Sequence, residues 1–127
     1  MFFSIDASNG VPIYEQIVRQ VKFAVADGVL VAGQMVPSVR QLSGELAINP
    51  NTIARAYLQL QEERVLEPLR GRGLVVRADA LPRCTKARRV LLETRVHDVI
   101  DEAVRAGLSR GEILEMCATQ LNQILPA

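Results

Sequence analysis

The sequence predicts a mainly α protein with one small β-hairpin, and three observations predict it. Apolar residues recur at helical spacing in five separate stretches of the 127-residue chain. Between the third and fourth lies a pair of short β-type runs joined by Arg70-Gly71-Arg72-Gly73. Capping and turn residues (Gly28, Ser38, Asn49-Pro50, Ser109) fall where each periodic stretch starts or stops.

Pro12 fits a first helical position, and Ile13, Ile17, Val21 and Ala24 continue at helical spacing to Gly28, a left-handed stop. Gly33 then turns the chain into a short extended piece ending at Pro37. Ser38 is the expected N-cap of a second helix that turns Val39, Leu42 and Leu46 inward. Only residues 47 to 50 separate Leu46 from Asn51, so the next helix follows after a tight turn. In that third helix Asn49 caps and Pro50 takes a position where a missing N–H costs nothing. Ile53, Ala56, Tyr57 and Leu60 share its inner face.

Asn51, Arg55 and Gln59 lie on the other side, each about 40° from the next at 100° per residue, with Thr52 beside them. An ordinary solvated helix face accounts for such a stripe. Asn and Arg are also the side chains that make paired hydrogen bonds to adenine and guanine edges in a major groove, and a helix N-terminus favours nearby phosphate.

Val65 to Leu69 and Leu74 to Arg77 read as the two strands of the hairpin, with two arginines at its extremity. Arginine on a thin projection suits a minor groove, where negative potential is concentrated. From Pro68 to Leu92 there are seven basic residues and one acid, Asp79, although the whole chain carries only +1.

The helix-compatible stretch from about Arg83 to Ala106 places Leu92, Val96, Val99 and Ala103 on one side. Ser109 and Glu112 have capping-box spacing, and Ile113, Cys117 and Leu121 line one face of the helix that follows. Two short apolar helices cannot enclose a core. Either they pair with a twin copy about a two-fold axis or they dock on the chain's own first domain. The resulting fold class is a winged helix-turn-helix domain, residues 1–78, followed by a two-helix dimerisation appendage, residues 79–127.

Several function classes are excluded or disfavoured. No apolar run approaches the roughly 18 residues of a membrane span, and the first ten residues lack the pattern of a secretory signal, so the cytoplasm is the expected location and no membrane partner is expected. Cys84, Cys117 and the single His97 have no metal-ligand spacing, so no metal and no cofactor are expected. Neither a nucleophile-base pattern nor a phosphate loop is present, so an enzyme is not expected.

Pro12-Ile13-Tyr14, Pro37-Ser38 with Arg40, Asn49-Pro50-Asn51-Thr52, Arg55-Ala56-Tyr57 and Gly71-Arg72-Gly73 together make the span from Pro12 to Val76 resemble the winged helix-turn-helix domain of the GntR family of bacterial transcription regulators. The opening motif, the Asn-Pro-Asn-Thr turn and the short remainder are similar to its YtrA subfamily, whose members add two helices after the wing. The resemblance implies DNA contacts from Ser38 and Arg40 on the second helix and from Asn49, Asn51, Thr52 and Arg55 on the third. It also implies contacts from Arg70, Gly71 and Arg72 at the wing tip.

Arg64 and Leu74 depart from the pattern, standing where the family has glycine and a small hydroxyl residue. The expected function is a homodimeric repressor of a transporter-type operon, binding a palindromic operator whose half-sites lie about 34 Å apart. A small-molecule effector would have to bind between subunits or domains, because the appendage is too small for an enclosed cavity. The competing class is a winged module that binds another polypeptide, since fold alone does not decide function.

Overall fold

The computed structural model describes residues 3–126. The element order is α1 (Ile13–Ala26), α2 (Val39–Leu46), α3 (Pro50–Glu62), β1 (Leu66–Leu69), β2 (Gly73–Val76), α4 (Ala80–Arg105) and α5 (Arg110–Ile124). The chain divides into two compact units, the first ending at Arg89 and the second beginning at Val90.

In the first unit, α1, α2 and α3 pack around Ile17, Val21, Leu42, Ile53 and Leu60, with Leu66 and Val76 of the hairpin closing one side. These are the residues whose spacing turns them inward, and burying a side chain of this size contributes about 1.5–3 kcal/mol each. Pro12 occupies the N-cap position of α1 instead of its first helical position, and its carbonyl accepts from Gln16 N at 3.1 Å. Gly28, at φ 77°, ends the helix as expected.

A segment ahead of α1 is knitted to it by two glutamines. Gln20 accepts from Ser4 N at 2.9 Å and donates to Ser4 O at 2.7 Å. One turn earlier, Gln16 does the same with Asp6, at 2.9 and 2.7 Å, so each amide imitates a strand partner. Four helical residues rise about 6 Å, close to the span of two extended residues, so the spacings match.

The tight turn between α2 and α3 depends on Ala47 at φ 53°, left-handed without being glycine. Ser43 Oγ donates to Ile48 O at 2.6 Å across it. The hairpin is antiparallel, with Leu66 opposite Val76 and Leu69 opposite Gly73. The extended piece before Pro37 adds a further rung, because Val36 N donates to Leu74 O at 3.0 Å and Gly33 N to Val76 O at 2.8 Å. The Leu74 side chain, half-buried, packs against the core.

α4 begins at Ala80, earlier than the expected Arg83. Ala80 and Cys84 are fully buried in the core of the first unit, which is why that unit runs to Arg89 and not only to residue 78. Arg88 pairs with Asp27 at the end of α1. In the second unit Ser109 and Glu112 form the expected capping box, with Glu112 N donating to Ser109 Oγ at 3.2 Å and Ser109 N to Glu112 Oε1 at 3.1 Å.

Candidate nucleic-acid interface

The N-termini of α2 and α3 are built alike. Ser38 Oγ accepts from Gln41 N at 3.0 Å, and Asn49 Oδ1 accepts from Asn51 N at 2.8 Å. Each cap thus commits an acceptor to its own helix and keeps a donor, the Ser38 hydroxyl proton and the Asn49 amide hydrogens, for a partner outside. With Pro50 as the first residue of α3 and the positive end of the helix dipole beside it, this end of the domain favours anions.

Arg40, Asn51 and Arg55 are exposed and Thr52 is half-buried, so the expected stripe exists over the first turns of α3. It is shorter than the helical wheel implies. Gln59 donates to Glu63 at 2.9 Å, and Glu63 also pairs with Lys22 of α1, so the last residue of the stripe is tied into the α1–α3 contact. Behind the stripe, the buried Tyr57 donates its hydroxyl to Pro37 O at 2.7 Å and links α3 to the start of α2. Burial, with a smaller push from Glu45, raises the Tyr57 phenol far above its ordinary value, so it stays a donor at any working pH.

Arg55 has a partner that its spacing did not reveal. Its guanidinium carbon lies 3.8 Å from the centroid of the Tyr14 ring on α1. The signal in the sequence was negative: the residues three and four positions from Arg55 (Asn51, Thr52, Leu58, Gln59) include no acid that could hold it along its own helix.

The hairpin carries Arg70, Gly71 and Arg72 at its tip, all exposed. Arg72 N closes the turn on Leu69 O at 2.9 Å, and Gly71 takes φ 75°. A Cβ there would meet open space, so the glycine is needed for its backbone conformation alone. A cleft of about 360 Å³ separates the tip from the start of α2, lined by Met35, Pro37, Ser38, Tyr57, Arg72 and Leu74.

The basic run after Pro68 is only partly free. Arg77 pairs with Glu67 at 3.3 Å and Asp79 at 3.0 Å, Arg83 pairs with Asp79 at 3.0 Å, and Arg88 pairs with Asp27. Hydrogen bonds from Arg83 and Arg77 hold the Asp79 carboxyl well below the usual carboxylate range. The positive charge left for a partner therefore includes Arg70 and Arg72 at the tip and Lys86 on α4.

The residues expected to pair two copies lie on α4 and α5. Leu92, Val96, Val99, Cys117 and Leu121 are exposed, and Ala103 is half-buried. Ile113 departs from that expectation: only 8% exposed, it is covered by its own chain and is not open to a twin. Among the described residues, no cluster of three or more His, Cys, Asp or Glu side chains could hold a metal ion, and no helix is long and apolar enough to cross a membrane.

Three helices, a tight turn between the second and third, and an arginine-tipped hairpin define a winged helix-turn-helix protein of the DNA-binding class. Residues 13–76 match the family described as bacterial regulatory proteins, gntR family. The chain belongs to the GntR family and is a DNA-binding transcription regulator. It is 33% identical over 111 residues to the HTH-type transcriptional repressor YtrA of Bacillus subtilis, covering 87% of this chain and 85% of that one. Its structure resembles a transcriptional regulator from Oenococcus oeni, with TM-score 0.76 and 28% identity over 94% of this chain and 99% of the other. A GntR family transcriptional regulator from Listeria monocytogenes is also similar, with TM-score 0.72 and 28% identity over 88% and 97%.

Proposed function

We propose that the chain is a cytoplasmic, homodimeric repressor that occludes a promoter by binding a palindromic operator. In this reading α3 enters the major groove with Asn49, Asn51, Thr52 and Arg55 toward base edges and phosphates. Ser38 and Arg40 of α2 hold the backbone, and Arg70, Gly71 and Arg72 enter the minor groove. The observation that carries it is the donor-rich surface formed where α2, α3 and the wing tip each leave N–H or O–H groups uncommitted. DNA presents the opposite surface, phosphate oxygens and the N7 and O6 acceptors of guanine.

Pairing of copies is supported by the second unit. Among its described residues Ile113 alone is buried, while Val96 and Val99 are 57% and 62% exposed. An apolar surface of that extent on so small a unit needs a cover, and a second copy supplies one with matching chemistry. The similarity to a repressor named YtrA supports repression, and the subfamily resemblance extends the proposal to a transporter-type operon. Any small-molecule effector would act between subunits or between domains.

The test is recovery of bound duplexes from a randomised pool, with the assembly mass measured by light scattering. Enrichment of an inverted repeat by a particle of twice the chain mass is expected. Enrichment of nothing, at low salt and micromolar protein, would refute the reading.

A further inference from the structure

We infer that Tyr14 is a positioning residue for DNA recognition: its ring holds the Arg55 guanidinium flat, so that the planar fork is set before DNA arrives. This rests on the proposed role of α3. The two residues come from different helices, Tyr14 from the first turn of α1 and Arg55 from the second turn of α3. The guanidinium carbon sits 3.8 Å from the ring centroid, the separation of a stacked cation over an aromatic face.

Three observations make this more than a chance contact. Arg55 has no ion pair and no side-chain hydrogen bond among the described residues, so the ring is its one partner. The Tyr14 hydroxyl likewise has no hydrogen-bond partner among the described residues, so the face of the ring is the part in use. The ring's own place is restrained, because it is half-buried and packs against the core.

Stacking and ion pairing prepare an arginine differently. A carboxylate consumes the in-plane N–H groups, whereas a ring engages only the π face and leaves the edge donors free. A free arginine also has about 2 kcal/mol of side-chain entropy to lose when it docks, and a pre-stacked one has given up part of it already. Tyr14 therefore raises the affinity of Arg55 for a base edge without touching DNA itself.

The experiment is an anisotropy titration of the full chain on two probes, a duplex recovered from the randomised pool and a scrambled duplex of the same composition. Tyr14→Leu keeps the bulk and removes the π face, and should weaken binding to the recovered duplex about two- to fivefold, the range expected for an exposed cation–π contact. Binding to the scrambled duplex should not change. Tyr14→Phe, which keeps the face, should behave as wild type. In an Arg55→Ala background, Tyr14→Leu should cost nothing further.

Ring-current shifts supply a readout that does not depend on DNA. The Arg55 side-chain protons should resonate upfield in the wild type and in Tyr14→Phe, and return to ordinary positions in Tyr14→Leu. Should Tyr14→Leu unfold, Tyr14→Met, which also lacks the π face and adapts to its surroundings, is titrated on the same two probes and should show the same weakening.

Unaltered binding of the recovered duplex by Tyr14→Leu, or an undiminished effect in the Arg55→Ala background, overturns the inference. A wild-type chain that enriches no duplex overturns the repressor reading as well, so the two failures are separable.

Discussion

The guanidinium of Arg83 donates to the backbone carbonyl of Arg64 at 3.1 Å, and Arg64 holds a left-handed backbone at φ 60°. The contact places the first turns of α4 on the turn that ends α3. Arg64 thus adopts the conformation a glycine takes there, at a steric cost of about 1–2 kcal/mol for an L-residue. Replacing it with glycine keeps the carbonyl and removes the strain. Arg64→Gly should stabilise the protein by about 1 kcal/mol in a urea titration. A lower midpoint would show that the arginine side chain contributes more than its backbone costs.

Acid should loosen the start of α4 through Asp79. Arg83 and Arg77 depress its folded-state pKa below the unfolded value of about 3.9. A depressed carboxylate contributes stability that is fully present above about pH 4 and is lost as pH falls toward the folded value. Asp79→Asn should therefore melt below wild type at neutral pH, and the gap should close as the pH is lowered from about 4 toward about 2. A gap that stays constant through that window would assign the effect to packing.

Removing the Tyr57 hydroxyl leaves the Pro37 carbonyl without its 2.7 Å donor. Tyr57→Phe should cost about 1–2 kcal/mol, the range for an orphaned half-buried acceptor, measured by chemical unfolding. Because that bond ties α3 to the start of α2, amide exchange at Val39 and Arg40 should quicken as well.

Arg72 tests the wing. It is exposed, and no acid pairs with it among the described residues. Arg72→Ala should weaken binding to operator and random duplex alike. It should also flatten the plot of log affinity against log salt by about one unit for each phosphate that the guanidinium neutralises. An unchanged slope would show that Arg72 neutralises none.

The two thiols should report on assembly. Cys84 is buried in the winged core, and burial raises its pKa, so it should resist alkylation until the protein unfolds. Cys117 is exposed on α5. If the α4–α5 surface pairs with a twin, labelling of Cys117 should slow as protein concentration rises. A rate independent of concentration would place the pairing surface elsewhere.

What the sequence revealed follows from how local each signal is. Caps at Ser38, Asn49 and Ser109 are settled within three residues, and the structure forms all of them. The inner faces of α1 and α3 were legible because a single period determines them. Contacts between distant segments were not. Nothing in the order of residues shows that Tyr14 lies against Arg55, that Tyr57 donates to the Pro37 carbonyl, or that Arg83 reaches the carbonyl of Arg64. Ile113 shows the same limit, since helical spacing gives a face but not what covers it.

The capped starts of α2 and α3 also bear on the proposed pairing of copies. By turning their oxygens inward and their hydrogens outward, Ser38 and Asn49 join the arginines in a patch that has little to offer an identical patch. Two copies meeting there would bring like polarity together, with repelling charges and few lone pairs to share. The same arrangement that would welcome a polyanion insulates this surface against self-stacking, so the proposed pairing would fall to the oily helices late in the sequence.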